Sequence, residues 1–116
     1  MISHVVMFRP RRDLPQAERD ALFNSFQSAL VSIPTIRAVR AGRRVSFGAG
    51  YDRNDAESPD FIVAIDFDDL SGLQLYLQHP AHAELAARFN QACASTTAYD
   101  FEATDDVSGI RTLFDA

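Results

Sequence analysis

The chain of 116 residues contains no lysine, so arginine carries all of its basic charge. Its 11 arginines are outnumbered by 16 acidic residues, which gives a net charge of −5. Binding to nucleic acid or to an anionic membrane surface needs a basic face, which an acidic chain does not favour. We therefore expect neither nucleic acid nor a membrane among its partners.

Cysteine and long apolar runs are also scarce. The single Cys93 excludes an internal disulfide framework and a cysteine-based metal cluster. No run of about 18 apolar residues is present to span a membrane, and the apolar residues near Met1 are too few for a signal peptide. The sequence predicts a cytoplasmic protein, and its length fits one domain with one core.

Hydrophobic residues make up 47% of the chain, and their spacing predicts the order strand, helix, strand, strand, helix, strand. The predicted strands cover residues 2–8, about 36–47, 61–67 and 96–102. The first helix begins with Pro15 and closes before Pro34, and the second begins after Asp69 and is restarted by Pro80. This order predicts a ferredoxin-like α+β sandwich over residues 1–102, with a four-stranded antiparallel sheet and two helices on one face. Residues 103–116 are predicted to form a mostly polar tail.

The second face of this sheet also carries apolar residues. In the third strand Phe61, Val63 and Ile65 point one way, while Ile62 and Ala64 point the other way. Two helices can cover only one face, so the other needs a separate cover. A second copy packed sheet against sheet is the simplest solution. We predict a homodimer that hides roughly 700 Å² per subunit.

The most informative segment is Tyr-Leu-Gln-His-Pro-Ala-His, which runs from Tyr76 to His82. It holds two of the three histidines, and the third, His4, lies on an apolar strand face. A histidine against an apolar wall can bind a polar ligand atom or move a proton, because imidazole titrates near neutral pH. Pro80 suits the first turn of a new helix, from which His82 would project.

Together with residues 2–8, 61–69 and 99–102, this segment resembles the stress-responsive α/β-barrel (Dabb) family. The resemblance implies a homodimeric α/β barrel with a cavity between each subunit's sheet and helices. Many members have no assigned activity. One plant branch, similar to olivetolic acid cyclase, folds a linear polyketide by aldol condensation without a metal or cofactor. The tyrosine and histidine at the reacting centre of that branch correspond to Tyr76 and His82, and the strand histidine of its pocket corresponds to His4. Phe61 and Phe26 replace a pocket histidine and a pocket tyrosine.

Two interpretations of these three residues stay open. In a catalytic site, His82 takes a proton from a carbon beside a carbonyl while Tyr76 donates to the developing oxyanion. In a structural interpretation, His82 binds a backbone carbonyl and Tyr76 belongs to the core with its hydroxyl at the rim. A buried His4 needs a partner in either case, and we expect a hydrogen bond to the motif helix.

Other residues extend these interpretations. Five large apolar residues are predicted to be core and to line any cavity that forms: Phe26, Phe61, Val63, Leu85 and Phe89. His79 is interpreted as a helix cap or surface residue. A metal site of His4, His79 and His82 is disfavoured because no acidic ligand is suitably spaced. The sequence contains no phosphate loop, Ser-His-Asp order or nucleotide fingerprint, and no cofactor is predicted.

The leading hypothesis is a homodimeric Dabb protein with a small apolar pocket near His4, Tyr76 and His82. The pocket would accept a small apolar, aromatic or carbonyl-bearing molecule, and whether the protein is an enzyme stays open. One alternative is a cofactor-independent lyase or cyclase that uses these residues in proton transfer. Another is a monooxygenase of the related dimeric ferredoxin-like type.

Overall fold

The computed structural model describes residues 1–55 and 57–116, and within them it has four strands and four helices. In chain order these are β1 (Ile2–Pro10), α1 (Gln16–Ser32), β2 (Ile36–Arg43), β3 (Phe61–Phe67), α2 (Leu70–Gln78), α3 (Pro80–Ala92), β4 (Cys93–Glu102) and α4 (Val107–Phe114). The strands form one antiparallel sheet in the order β2-β3-β1-β4. This arrangement confirms the predicted ferredoxin-like α+β fold.

The core lies between the sheet and helices α1, α2 and α3. Strand β3 illustrates why the core forms there: its alternate residues Val63, Ile65 and Phe67 point to the helices and are buried. They pack in one cluster with residues such as Leu22 of α1 and Leu73 of α2. Full burial of one such side chain contributes about 1.5–3 kcal/mol, so this face holds the helices on the sheet.

Three boundaries differ from the sequence prediction. Pro15 is the N-cap of α1, with extended backbone, and is not the first helical residue. Strand β2 ends at Arg43 because that residue pairs with Phe61, where β3 begins. Strand β4 starts three residues early, at Cys93, which also ends α3 as its C-cap.

Beyond β2, the loop to β3 is organised by an arginine. The Arg44 guanidinium donates to the backbone carbonyl of Pro59 at 2.7 Å and to that of Arg53 at 2.6 Å. Asp52 accepts from the backbone N–H groups of Phe47 and Ala49. These bonds satisfy the backbone of residues that sequence reasoning assigned partly to a strand.

The predicted polar tail contains helix α4. Asp106 caps it by accepting from the backbone N–H of Ser108 at 3.0 Å. Val107, Ile110 and Phe114 share one face of this helix and are all exposed. No residue of α4 is buried, so the helix adds nothing to the core of its own subunit.

The face of the sheet opposite the core leaves three large apolar side chains exposed, Ile62, Tyr99 and Phe101. The strand register sets Val5 of β1 between Ala64 of β3 and Tyr99 of β4. We call the set Val5, Met7, Ile62, Ala64, Tyr99 and Phe101 the open sheet face. It is not wholly apolar, because Asp66 lies on the same side and accepts from the Ser3 hydroxyl. Among the described residues, no helix has the length and apolar character that a bilayer span requires.

Candidate functional site

Tyr76 lies in the last turns of α2, against the sheet. Asp69 starts this helix by accepting from the backbone N–H of Gly72 at 2.9 Å. The Tyr76 ring packs 5.3 Å, centroid to centroid, from that of Phe67, and the residue is only 2% exposed. Burial raises the pKa of Tyr76 to about 12, so its phenol stays protonated at neutral pH.

The Tyr76 hydroxyl lies at the rim of the core and keeps some contact with solvent, although the ring itself is buried. A buried tyrosine hydroxyl usually finds a hydrogen-bond partner. None of the described residues hydrogen-bonds this one. Water or another oxygen acceptor can therefore take a hydrogen bond from it.

His82 reaches the same place from the first turn of α3. Pro80 occupies the first position of that helix, and His79 caps it by accepting from the Ala81 N–H at 3.1 Å, as its interpretation as a cap predicted. The His82 ring lies 4.7 Å from the ring of Tyr76. Burial lowers the pKa of His82 below its ordinary 6.5, His4 lowers it further, and a backbone hydrogen bond with Leu77 offsets part of this shift. A half-buried imidazole of this kind is neutral at pH 7 and can accept a proton.

His4 is bound by a residue that sequence reasoning missed. Its Nδ1 lies 2.6 Å from Oδ1 of Asp100, which faces it directly across the β1–β4 ladder. The expected hydrogen bond to the motif helix is wrong, because the contact with α2 is ring packing, 5.7 Å from Tyr76. An ionised carboxylate can only accept, so Nδ1 of His4 donates the hydrogen bond to Asp100.

These four residues form a row from the outer strand to the motif helix. We call Asp100, His4, Tyr76 and His82 the histidine–tyrosine cluster. It combines a neutral imidazole, a protonated phenol without a protein partner and an imidazole oriented by a carboxylate. Such a set supplies a base, a hydrogen-bond donor and a positioning group within contact distance.

A cavity of about 890 Å³ lies between α1, β2 and the adjoining strands. We call it the α1–β2 groove. Phe26, Phe61 and Val63, three of the five predicted ligand-binding residues, line it. The other two, Leu85 and Phe89, are buried in the core.

Aromatic side chains pack at the inner side of this groove. Phe89 meets the ring of Phe8 edge-on at 4.9 Å and that of Phe26 at 5.4 Å, while Phe8 stacks on Phe61 at 5.5 Å. The residues that line the groove include no member of the histidine–tyrosine cluster. The groove is thus not the pocket predicted beside His4, Tyr76 and His82, and a pocket at those three residues stays a prediction.

The remaining chemical groups give little support to metal or thiol chemistry. Within residues 1–55 and 57–116, no three side chains among His, Cys, Asp and Glu are grouped so that they could hold a metal ion. The nitrogen Nδ1 of His79 is already engaged in the cap of α3. Burial raises the pKa of the Cys93 thiol, which keeps it protonated and unreactive.

The fold and motif agree with comparisons to known proteins. The family model for the stress responsive A/B barrel domain, Dabb, matches residues 2–103. This chain belongs to the Dabb family. The match covers nearly the whole chain and confirms the resemblance that the motif predicted.

Relatives of the chain include enzymes and proteins without an assigned function. Olivetolic acid cyclase from Cannabis sativa is 24% identical over 81 residues, which cover 70% of this chain and 75% of the cyclase. A hydroxynitrile lyase from Passiflora edulis superposes with a TM-score of 0.75 at 18% identity, over 90% of this chain and 94% of the lyase. A dimeric ferredoxin-like protein from Thermobifida fusca superposes with a TM-score of 0.67 at 22% identity, over 88% and 90% of the two chains. These structural likenesses show the shared fold.

Proposed function

We propose that this Dabb protein is a cofactor-independent enzyme of the lyase or cyclase type. It transfers a proton on a small carbonyl-bearing substrate that contacts Tyr76 and His82. The observation that carries the proposal is the Tyr76 hydroxyl, which lies at the rim of the core, is bound by no described protein group and belongs to a ring beside two imidazoles. A substrate oxygen can accept from this hydroxyl without displacing a protein partner.

Each residue of the cluster has a distinct role in this reaction. His82 is the base, because its lowered pKa keeps the imidazole neutral at pH 7. Tyr76 donates to the oxygen on which negative charge develops, because its raised pKa keeps the phenol protonated. Asp100 and His4 position this pair by fixing the His4 ring against Tyr76. After bond formation or cleavage, the His82 imidazolium returns its proton to the product.

The names of two relatives support this class of reaction. Olivetolic acid cyclase is named for a ring closure, and hydroxynitrile lyase for the cleavage of a hydroxynitrile. Both reactions break or make a carbon–carbon bond next to an oxygen and need a base. The chemistry of a neutral imidazole beside a phenol fits either one.

Two probe reactions test the proposal. Cleavage of mandelonitrile to benzaldehyde and cyanide reports lyase activity by absorbance, and α-proton exchange of 1-phenyl-2-propanone in D₂O reports carbon acidity by NMR. We expect His82→Ala to lower the rate of each reaction at least about 10²-fold. The matched control is His79→Asn, since asparagine keeps the cap of α3. Absence of both reactions in the unmodified protein, or equal rates in His82→Ala, would contradict an enzymatic role.

A second candidate function is ligand binding without turnover. It is favoured because no residue of the histidine–tyrosine cluster lines the α1–β2 groove. The cluster is then structural, and His82→Ala alters the thermal midpoint or the dimer strength while no probe is turned over. The small apolar ligand would contact Phe26, Phe61 and Val63.

We further propose that the functional form is a homodimer joined through the open sheet face. The relatives described as dimeric ferredoxin-like proteins support this assembly. The exposed Ile62, Tyr99 and Phe101 supply an apolar surface that an isolated subunit would leave in water. A cytoplasmic location remains a prediction from the sequence.

A further inference from the structure

The mouth of the α1–β2 groove concentrates positive charge in an otherwise acidic protein. Four arginines line the groove, Arg11, Arg12, Arg19 and Arg43, and the lining includes one acidic residue, Asp60. The whole chain carries a net charge of −5. The groove therefore has a local charge opposite in sign to that of the molecule.

Some of these charges are already neutralised within the protein. Arg11 donates to Glu18 at 2.8 Å, and Asp60 lies 3.9 Å from Arg9. The other three, Arg12, Arg19 and Arg43, are exposed. None of the three forms an ion pair with any described residue. The net positive charge at the mouth therefore belongs to these three guanidinium groups.

The interior of the groove is apolar and large enough for a small organic molecule. Its walls include Leu22 and Phe26 of α1 and Phe61 and Val63 of β3. The volume of about 890 Å³ falls within the range of roughly 300–1,000 Å³ that is usual for small-molecule sites. An apolar interior with a cationic mouth is complementary to a molecule with an apolar tail and an anionic head group.

We propose that this groove binds a free carboxylic acid with an apolar tail of about ten carbons. The tail lies between α1 and the sheet, and the carboxylate lies among Arg12, Arg19 and Arg43. A guanidinium group binds carboxylate through two parallel hydrogen bonds, which favours an acid over an alcohol or an amine. This inference rests on the second candidate function, ligand binding in the groove, and deepens it by naming the class of ligand; it needs no reaction at His82.

Calorimetric titration of the full-length protein tests the charge preference. The probes are decanoate, 1-decanol and decyltrimethylammonium, each below the concentration at which it forms micelles. We expect decanoate to bind tightest and its affinity to fall as salt is added. The triple variant Arg12→Gln, Arg19→Gln, Arg43→Gln should lose about tenfold in decanoate affinity, because each exposed ion pair accounts for roughly two- to fivefold. Its affinity for decanol should not change.

Two further variants locate the binding. Ala41 lines the groove on the edge strand β2 and is exposed, so Ala41→Phe fills the groove without altering the buried core. It should abolish binding of both decanoate and decanol. Arg111→Gln is the matched control, because Arg111 lies on α4 and does not line the groove. Thermal midpoints establish that each variant is folded.

The outcomes separate this inference from the proposed function. Decanoate binding that persists in His82→Ala, while turnover is lost, supports both. The groove is not a carboxylate site if decanoate does not bind or if the three probes bind with equal affinity. The same conclusion follows if the triple variant or Ala41→Phe leaves the decanoate affinity unchanged. Loss of the probe reactions alone would leave the binding result standing.

Discussion

Removal of the Asp100 carboxylate is expected to destabilise the protein through His4. The Nδ1 of His4 has this carboxylate at 2.6 Å, and His4 itself is 6% exposed, so Asp100→Ala leaves a buried donor without its acceptor. A hydrogen bond to a charged group contributes about 1.5–3 kcal/mol. Because the Asp100 side chain is 47% exposed, solvent screens the interaction, and we expect a loss of about 1–2 kcal/mol. For a domain of this size the thermal midpoint should fall by about 4–8 °C.

Thermal unfolding at one fixed protein concentration measures this effect, since the midpoint of a dimer depends on concentration. The matched variant Asp100→Asn keeps an acceptor oxygen and should lose only about half as much. In a His4→Phe background, Asp100→Ala should cost almost nothing, so a double-mutant cycle gives a coupling energy of about 1–2 kcal/mol. An equal loss with and without the His4 imidazole would refute the reasoning, because the destabilisation would then come from β4 alone.

The remaining predictions address the cluster and the dimer. Tyr76→Phe should lower the rate with the mandelonitrile probe by about 10²–10³-fold and leave the thermal midpoint nearly unchanged, because the hydroxyl has no partner among the described residues. Because the pKa of His82 is lowered in the folded protein, the His82 side chain of the unfolded chain is protonated first on acidification. Unfolding titrations should therefore show the free energy of unfolding falling as the pH drops below 6.5, and His82→Phe should remove this dependence. The acid limb of kcat/KM for the same probe should likewise lie below pH 6.5. Ile62→Arg on the open sheet face should convert the dimer to monomers in sedimentation velocity at micromolar concentration, whereas Arg53→Gln in the β2–β3 loop should not.

Much of the fold was predictable because its signals are local. The alternation of apolar residues in β3 indicates a strand from a few neighbouring positions, and the proline at the start of α3 likewise indicates a helix start. The order of strands and helices along the chain then restricts the topology. The limits of β2 and β4 were less accurate. They depend on where a partner strand begins, as at the Arg43–Phe61 pair, and such pairing is not visible in either strand alone.

The site was predictable only in part for the same reason. Tyr76, His82 and His4 were identified by residue type and motif. In the structure the Tyr76 ring lies 4.7 Å from the His82 ring and 5.7 Å from the His4 ring. Asp100 was missed because its role depends on the register of β1 with β4, strands 96 positions apart in the chain at this contact. Its one sequence signal is its position between Tyr99 and Phe101, which directs it to the face opposite those two aromatic residues.

The break between α2 and α3 explains how two residues of one short motif come to face each other. Tyr76 and His82 are six positions apart, and in a continuous helix they would be about 9 Å apart along the axis and roughly 120° apart around it. Their rings would then lie on different faces and could not touch. Extended backbone at His79, with Pro80 directly after it, ends the first helix and turns the second. The two rings can therefore approach to 4.7 Å, so the proline contributes to the site through geometry and not through its own chemistry.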